Sequence, residues 1–232
     1  MDLGLAECVA LILGADSPAG RYCATSLARE GVRLALAGAD ENLTQLAATS
    51  AAAEGSITHV IVAQAGQEDF GKGIVDSVLA KFGAVDIVVI VLPAMPPAFL
   101  DEIEGDDLIV NAWSVLVDYA AVCLHLVPGM QQGKWGRLIV VGSTEAKVLT
   151  ERPADLDRMI VLGALGLQKS LSGELGPFGI TANSVLYDNA IIESHDTLVS
   201  TAAAVTYLAS APAAYMDGIV ITVEGDRGTG TF

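Results

Sequence analysis

The stretch CVALILGADSPAGRYCATSLA, residues 8–28, decides the fold. Residues 8–13 are an apolar run of strand length, and from residue 18 onward the pattern is helical. Ser17 followed by Pro18 marks a helix start. The serine side chain can accept from a backbone N–H of the first turn, and proline suits the first helical position because its missing N–H has no intrahelical partner there. Gly14 and Gly20 bracket the loop. A glycine loop leading from a strand into a helix is where a nucleotide pyrophosphate is held, by backbone N–H groups and the helix N-terminus. Pro18 stands in the middle of this loop, adding bulk and removing a donor. A hydrogen bond to a charged group contributes roughly 1.5–3 kcal/mol. The segment is therefore expected to keep its role as a helix start and to lose much of its role as a phosphate cradle.

The same alternation continues along the chain. Apolar, Val- and Ile-rich runs fall at 8–13, 32–37, 57–62, 85–91, 137–142, 180–186 and 218–223. Most are apolar on both faces, as buried parallel strands are. Helical stretches lie between them at about 18–30, 41–53, 67–82, 106–128, 155–175 and 201–209. Repeated strand–helix units with short connections predict an α/β protein: a Rossmann-like, doubly wound, seven-stranded parallel sheet with helices on both faces. No linker, repeat or low-complexity segment interrupts residues 1–232, so one domain is expected.

The totals narrow the function. Of the 232 residues, 52% are hydrophobic, and the mean hydropathy is +0.52. Charged residues such as Glu7, Asp16, Asp86 and Asp118 break the apolar runs, so no run of the ~20 residues needed to span a membrane is expected. The acidic start lacks the basic region of a secretory signal, and a cytoplasmic location is expected. The net charge of −16 argues against nucleic acid and anionic lipid, which need clustered cations. Cys8, Cys23 and Cys123 read as buried thiols, and His59, His125 and His195 show no metal-ligand spacing. Two helical segments, 108–127 and 159–171, are apolar nearly all round. A helix on a sheet needs one apolar face; a second one requires another buried contact, most simply a second subunit.

In order and content these motifs resemble the short-chain dehydrogenase/reductase family over essentially the whole chain. FGAVDIVVIV (82–91) is similar to its fourth strand. VNAWSVLV (110–117) resembles its helix with a structural Asn, here Asn111. WGRLIVVGS (135–143) resembles the strand that ends in a catalytic Ser, here Ser143. LQKSLSGELGPFGITANSV (167–185) and VTYLASAPAAYMDGIVITVEG (205–225) are similar to its later helix, strand and C-terminal region.

The resemblance also implies a Tyr and a Lys, four residues apart, on the helix after Ser143. Asp157 falls at the Tyr position and Val161 at the Lys position, and no Tyr occurs between Tyr119 and Tyr187. An ordinary Asp, with a pKa of about 3.9 against about 10 for Tyr, has no proton to give at neutral pH. Asp155 and Asp157 read more simply as helix-start carboxylates. At the cofactor positions the resemblance places Gly38 and Ala39 where an acid or a cation would contact the ribose, with Arg33 as the nearby cation. Gln64 stands where an Asp would meet the adenine, and Ile90-Val91-Leu92-Pro93 where an Asn-rich floor would lie. Tyr187-Asp188 replaces a Pro-Gly that opens a helical flap.

The resemblance thus implies a pseudoenzyme. No catalytic residue is expected, with Asn111, Ser143, Asp157 and Val161 as vestigial positions. No cofactor is expected in this chain, despite the retained Gly14 and Gly20, and NAD(P) is expected in an active partner. That partner is a homologous short-chain dehydrogenase, joined in a heterotetramer through the helices near 106–128 and 155–175 and the C-terminal strand. A dehydrogenase of anaerobic aromatic (toluene) degradation that pairs an active with an inactive subunit is the precedent this chain resembles. Two alternatives remain: a nucleotide- or ligand-binding regulatory module that uses Gly14 and Gly20, and an NAD(P)-dependent oxidoreductase with an altered site built on Ser143 and Asp157.

Overall fold

The structure, a computed structural model, describes residues 2–67, 69–93, 107–147, 156–188 and 194–224, with the backbone alone at 107–112, 145–146 and 156–157. Its strands are β1 (Val9–Leu13), β2 (Arg33–Gly38), β3 (Thr58–Val62), β4 (Ile87–Val91), β5 (Gly136–Ser143), β6 (Ile180–Tyr187) and β7 (Val220–Val223). They form one parallel sheet in the order β3-β2-β1-β4-β5-β6-β7. The central strands β1, β4 and β5 are buried along their whole length, which is why their sequences are apolar without alternation.

Among the described residues, six α-helices cover the sheet: α1 (Pro18–Arg29), α2 (Glu41–Ala53), α3 (Phe70–Phe82), α4 (Asp107–Gly133), α5 (Leu156–Leu175) and α6 (His195–Ala209). Two cores result. Under α3, α4 and α5 lie residues such as Leu11, Val88, Ile90, Leu138, Val122 and Ile160. Under α1, α2 and α6 lie Ile12, Leu34, Val89, Ile139, Leu27 and Val205. Alternate residues of one strand enter opposite cores, as the two-residue period of a strand requires. Cys23 and Cys123 are buried free thiols, and burial pushes both up to about 12.

Two elements extend beyond their expected bounds. α4 continues through Pro128 to Gly133. Pro128 is exposed, so water can satisfy the carbonyl that its ring leaves without a donor. α6 opens at His195 and not at 201; the Ser194 side chain caps it by accepting from the Thr197 N–H at 3.4 Å. α4 also corrects the expectation about apolar length. Trp113–Gly133 is long and apolar enough to cross a membrane by length and composition, because Asp118 is the one acidic residue in it. Here the inward side of that helix, with Tyr119, Val122, Cys123, Leu126 and Met130, is part of the core against the sheet.

A buried polar chain ties α4 to α5 and both to the sheet. The Tyr119 hydroxyl donates to Gln168 Oε1 at 2.8 Å. Gln168 Nε2 donates to the carbonyls of Leu138 at 3.1 Å and Asn183 at 2.6 Å. Asn183 Nδ2 donates to the Met216 carbonyl at 2.7 Å, and its Oδ1 accepts from the Ile219 N–H at 3.1 Å. Gln168 is 2% exposed, so its groups have no recourse to water. Replacing it by Leu strands several buried partners, at about 1–3 kcal/mol each. Gln168→Leu is expected to lower the melting temperature by roughly 3–10 °C, as read by circular dichroism.

Candidate functional site

Chain order reverses between β1 and β4. In open α/β sheets, ligands bind in the crevice outside the carboxyl ends of the strands at such a point. A cleft of about 220 Å³ lies there, with Gly14, Ala37, Ala63, Phe70, Ile90 and Val115 among its walls. Asp16, Asp118 and Tyr119 line it as well.

The β1–α1 loop forms one edge, and its N–H groups are largely engaged within the protein. Those of Gly14 and Ala15 both donate to the Ala37 carbonyl at 3.0 Å, and that of Ser17 donates to the Gly14 carbonyl at 3.1 Å. Pro18 is the first residue of α1 and has none. The Gly20 N–H donates to Ser17 Oγ at 3.0 Å, while the Ser17 hydroxyl donates to the Gly14 carbonyl at 2.7 Å. Among the described residues of the loop, the N–H groups of Asp16 and Ala19 are left without an internal acceptor. The two retained glycines have a packing reason. Gly14 has φ +78°, and a Cβ there would lie 2.6 Å from the Val91 carbonyl oxygen. A Cβ on Gly20 would lie 2.2 Å from the Gly14 carbonyl oxygen. Gly20 is thus required by the closeness of α1 to the end of β1, and Gly14 by its positive φ and its closeness to β4, whatever the loop binds.

At the end of β2 a carboxylate is present, but it comes from another residue. Asp16 Oδ2 accepts from the N–H groups of Ala39 at 2.9 Å and Asp40 at 3.1 Å. A Cβ on Gly38 would lie 2.7 Å from Asp16 Cγ and 2.4 Å from Thr44 Oγ1, so Gly38 leaves room for Asp16. Arg33 is corrected as a nearby cation. It opens β2, at the end away from the cleft, and its guanidinium donates to the Glu7 carbonyl. Gln64 lies beyond β3 and is not among the lining residues, whereas Ile90, Val91 and Pro93 are.

Of the residues expected at the vestigial catalytic positions, Ser143 and Val161 are described with their side chains. Ser143 is the last residue of β5 and is buried. Val161, on α5, is 1% exposed and packs toward Gly142, whose added Cβ would meet Val161 Cγ2 at 3.2 Å. Asn111 is the fifth residue of α4 and Asp157 the second of α5, both described by backbone alone. Asp155 falls outside the described residues. Tyr187 is the β6 partner of Ser143, a proximity that no sequence spacing announced. It packs against the core under α1, α2 and α6, on the face of the sheet opposite α5. Beyond it, the Asp188 N–H donates to the Val223 carbonyl.

The sequence reading noted Asp118 merely as an interruption in an apolar helix. It is 9% exposed and accepts from the Gly66 N–H at 2.7 Å through Oδ2. Burial raises its carboxyl above the ordinary 3.8, against the opposing pull of the Gly66 N–H.

This fold, with its crevice at the reversal and its glycine-bracketed β1–α1 turn, places the chain in the short-chain dehydrogenase/reductase family, to which it belongs. The family model described as enoyl-(acyl carrier protein) reductase matches residues 14–189. A subunit of (2S)-[(R)-hydroxy(phenyl)methyl]succinyl-CoA dehydrogenase, BbsC of Thauera aromatica, is 30% identical over 178 residues, 77% of this chain and 70% of that protein. The L-rhamnose 1-dehydrogenase (NAD(P)(+)) of Azotobacter vinelandii is 27% identical, covering 93% of this chain and 94% of that one. A short-chain type dehydrogenase/reductase from Mycobacterium marinum superposes with a TM-score of 0.87 at 21% identity, covering 99% of this chain and 98% of that one.

Two outcomes follow from the geometry. Gly20→Ala is expected to cost at least the ~1–3 kcal/mol of an overpacked site, seen as a lower midpoint in urea, with or without nucleotide present. For Asp118 the sign is set by the raised carboxyl. Its contribution to stability is full below about pH 3.8 and is lost as pH rises through the folded value. Asp118→Asn keeps an acceptor for Gly66 and removes the charge. The variant is expected to melt above the parent at pH 7, with the gap closing as pH falls toward 4; equal melting at both pH values would refute this.

Proposed function

We propose that this chain is a non-catalytic subunit that stabilises and assembles with an active short-chain dehydrogenase. The observation that carries this reading is Val161. The position that the family resemblance assigns to the catalytic Lys holds an apolar side chain sealed in the core at 1% exposure. A proton relay through α5 has neither its Tyr nor its Lys, and a phosphate loop that engages the N–H groups of Gly14, Ala15, Ser17 and Gly20 internally has few left for a dinucleotide. NAD(P) belongs to the partner's site in this reading.

The outer surfaces of the helices support an assembly role. On α4, Trp113, Val117 and Leu124 are 54%, 63% and 72% exposed, and on α5 Met159 and Leu162 are 43% and 51% exposed. The two helices that carry these side chains pack side by side. Apolar surface on this scale marks a protein contact. The partner is a homologous active subunit, joined through α4, α5 and the β7 edge in a heterotetramer. BbsC, the relative from Thauera aromatica, is itself named as a subunit of a dehydrogenase, which supports a subunit role; anaerobic aromatic degradation is the pathway this reading proposes. A second reading, an NAD(P)-dependent oxidoreductase with an altered site, is favoured by the retained Ser143 and by the dehydrogenase relatives.

Purification of the native complex, with mass spectrometry of every subunit, tests the proposal. A homologous partner with an intact Tyr–Lys pair is expected, and Trp113→Arg with Leu124→Glu should release it. On the chain alone, calorimetry is expected to find NAD(H) and NADP(H) binding no tighter than millimolar. Recovery solely as a homo-oligomer, or turnover by the chain alone that Ser143→Ala abolishes, would overturn the subunit reading.

A further inference from the structure

A second groove lies on the face of the sheet that α1, α2 and α6 cover, and it shares no lining residue with the crevice at the β1/β4 reversal. Its volume is about 730 Å³. The outward side of α1 forms its floor. Residues three and four apart on a helix share a face, and the two in the middle of this one, Thr25 and Ser26, are short. Arg21 and Tyr22 rise at one end and Arg29 at the other, while Ala202 and Ala203 keep the α6 wall low. The groove is rich in donors. The Arg21 guanidinium has no hydrogen bond or ion pair among the described residues, although the chain has 28 acidic residues against 12 basic ones. Arg29 commits Nη2 to Glu54 Oε1 at 2.9 Å, one use of a five-donor fork. Ser26 Oγ accepts from the Thr206 hydroxyl at 2.8 Å and keeps its own hydrogen. The Tyr22 hydroxyl lies 2.8 Å from His195 Nδ1. Nε2 therefore carries an N–H both when that hydroxyl donates and when the ring is an imidazolium. Against these donors, Glu54 is the one carboxylate in the described lining.

We infer that the groove over α1 is a binding site for a small organic dianion whose two carboxylates are joined by an apolar spacer. Three features fit that class. Arg21 and Arg29 are eight residues apart on one helix, about 12 Å along its axis, so two carboxylates at the ends of one molecule can each meet a guanidinium. The guanidinium fork matches a carboxylate in a bidentate pair, among the stronger of protein hydrogen-bonding arrangements. Between the two ends Val199, Ala202 and Ala203 offer an apolar wall to the spacer. The volume falls within the ~300–1,000 Å³ of small-molecule sites. The net charge of −16 repels extended polyanions; a short dianion gains its attraction at the two contact points. The inference does not rest on the subunit reading, because the groove lies on the opposite face of the sheet from α4 and α5.

Calorimetry on the purified full chain at pH 7 tests it with four probes: nonanedioate, nonanoate, butanedioate and fructose 1,6-bisphosphate. Nonanedioate is expected to bind saturably. Nonanoate, with one carboxylate, and butanedioate, too short to reach both arginines, should each bind at least tenfold more weakly. Fructose 1,6-bisphosphate, with two anionic ends and no apolar spacer, should also be weaker. Arg21→Gln and Arg29→Gln should each bring nonanedioate down to the level of nonanoate and leave nonanoate within a few fold. Ala203→Phe, an exposed position that fills the groove from α6, should abolish binding of nonanedioate with the fold intact by circular dichroism. The inference is overturned if nonanedioate does not bind, if nonanoate or butanedioate binds as tightly, or if either arginine variant or Ala203→Phe leaves its binding unchanged. Tighter binding of fructose 1,6-bisphosphate than of nonanedioate overturns it too, in favour of a sugar phosphate. None of these results bears on the recovery of a partner subunit, so the two readings fail separately.

Discussion

The contact between Gly20 and the Gly14 carbonyl sets the architecture at the centre of the sheet. With only 2.2 Å between that oxygen and a would-be Cβ, no other residue lets α1 approach β1 so closely. Gly14 in turn sits against the backbone of Val91 at the end of β4. The two glycines therefore fix one helix and two strands at the point where the sheet reverses its order. This constraint holds whether or not a ligand is present. It explains how the loop keeps both glycines while a proline takes its middle position: Pro18 opens α1, where a missing N–H costs little.

Once that corner is fixed, the chemistry of the crevice depends on where carboxylates can reach. At the end of β2, Gly38 leaves a space that Asp16 fills from the neighbouring loop, accepting two backbone N–H groups of the turn into α2. On the other side, Asp118 reaches from α4 to the Gly66 N–H. The cleft thus has two carboxylates among largely apolar walls, and most of the described N–H donors of the β1–α1 loop serve its own turn. Both carboxylates are parts of the local hydrogen bonding.

The far side of the molecule follows a different constraint. α4 and α5 are held together by the Tyr119–Gln168 bond, and Gln168 reaches on into β5 and β6. Their inward faces are thereby committed to the core, and Trp113, Val117, Leu124, Met159 and Leu162 are left outward. The helices that carry these outward apolar side chains are tied to each other and to the sheet by a buried polar chain. Buried networks of this kind hold a unique arrangement when every member is satisfied.

The sequence by itself determined the order and type of the elements, because fully buried parallel strands and capped helices write their burial and their ends directly into local composition. Seven strands and six helices were legible, with the parallel sheet they imply. The helix start at Ser17 and Pro18 was legible too, since a cap and an N-terminal proline are residue types at a position. The α6 start escaped the apolar pattern, though its cap, Ser194, was in plain view, and α4 outran Pro128 because an exposed helix face tolerates the lost bond. Tertiary structure alone decided the rest. That Asp16 stands in for an acid at Gly38, that Arg33 lies at the wrong end of β2, that Tyr187 neighbours Ser143, and that Asp118 lines the crevice are facts about separated segments meeting. Their physical origin is strand register and close backbone approach, which bring together residues whose spacing along the chain carries no trace of the meeting.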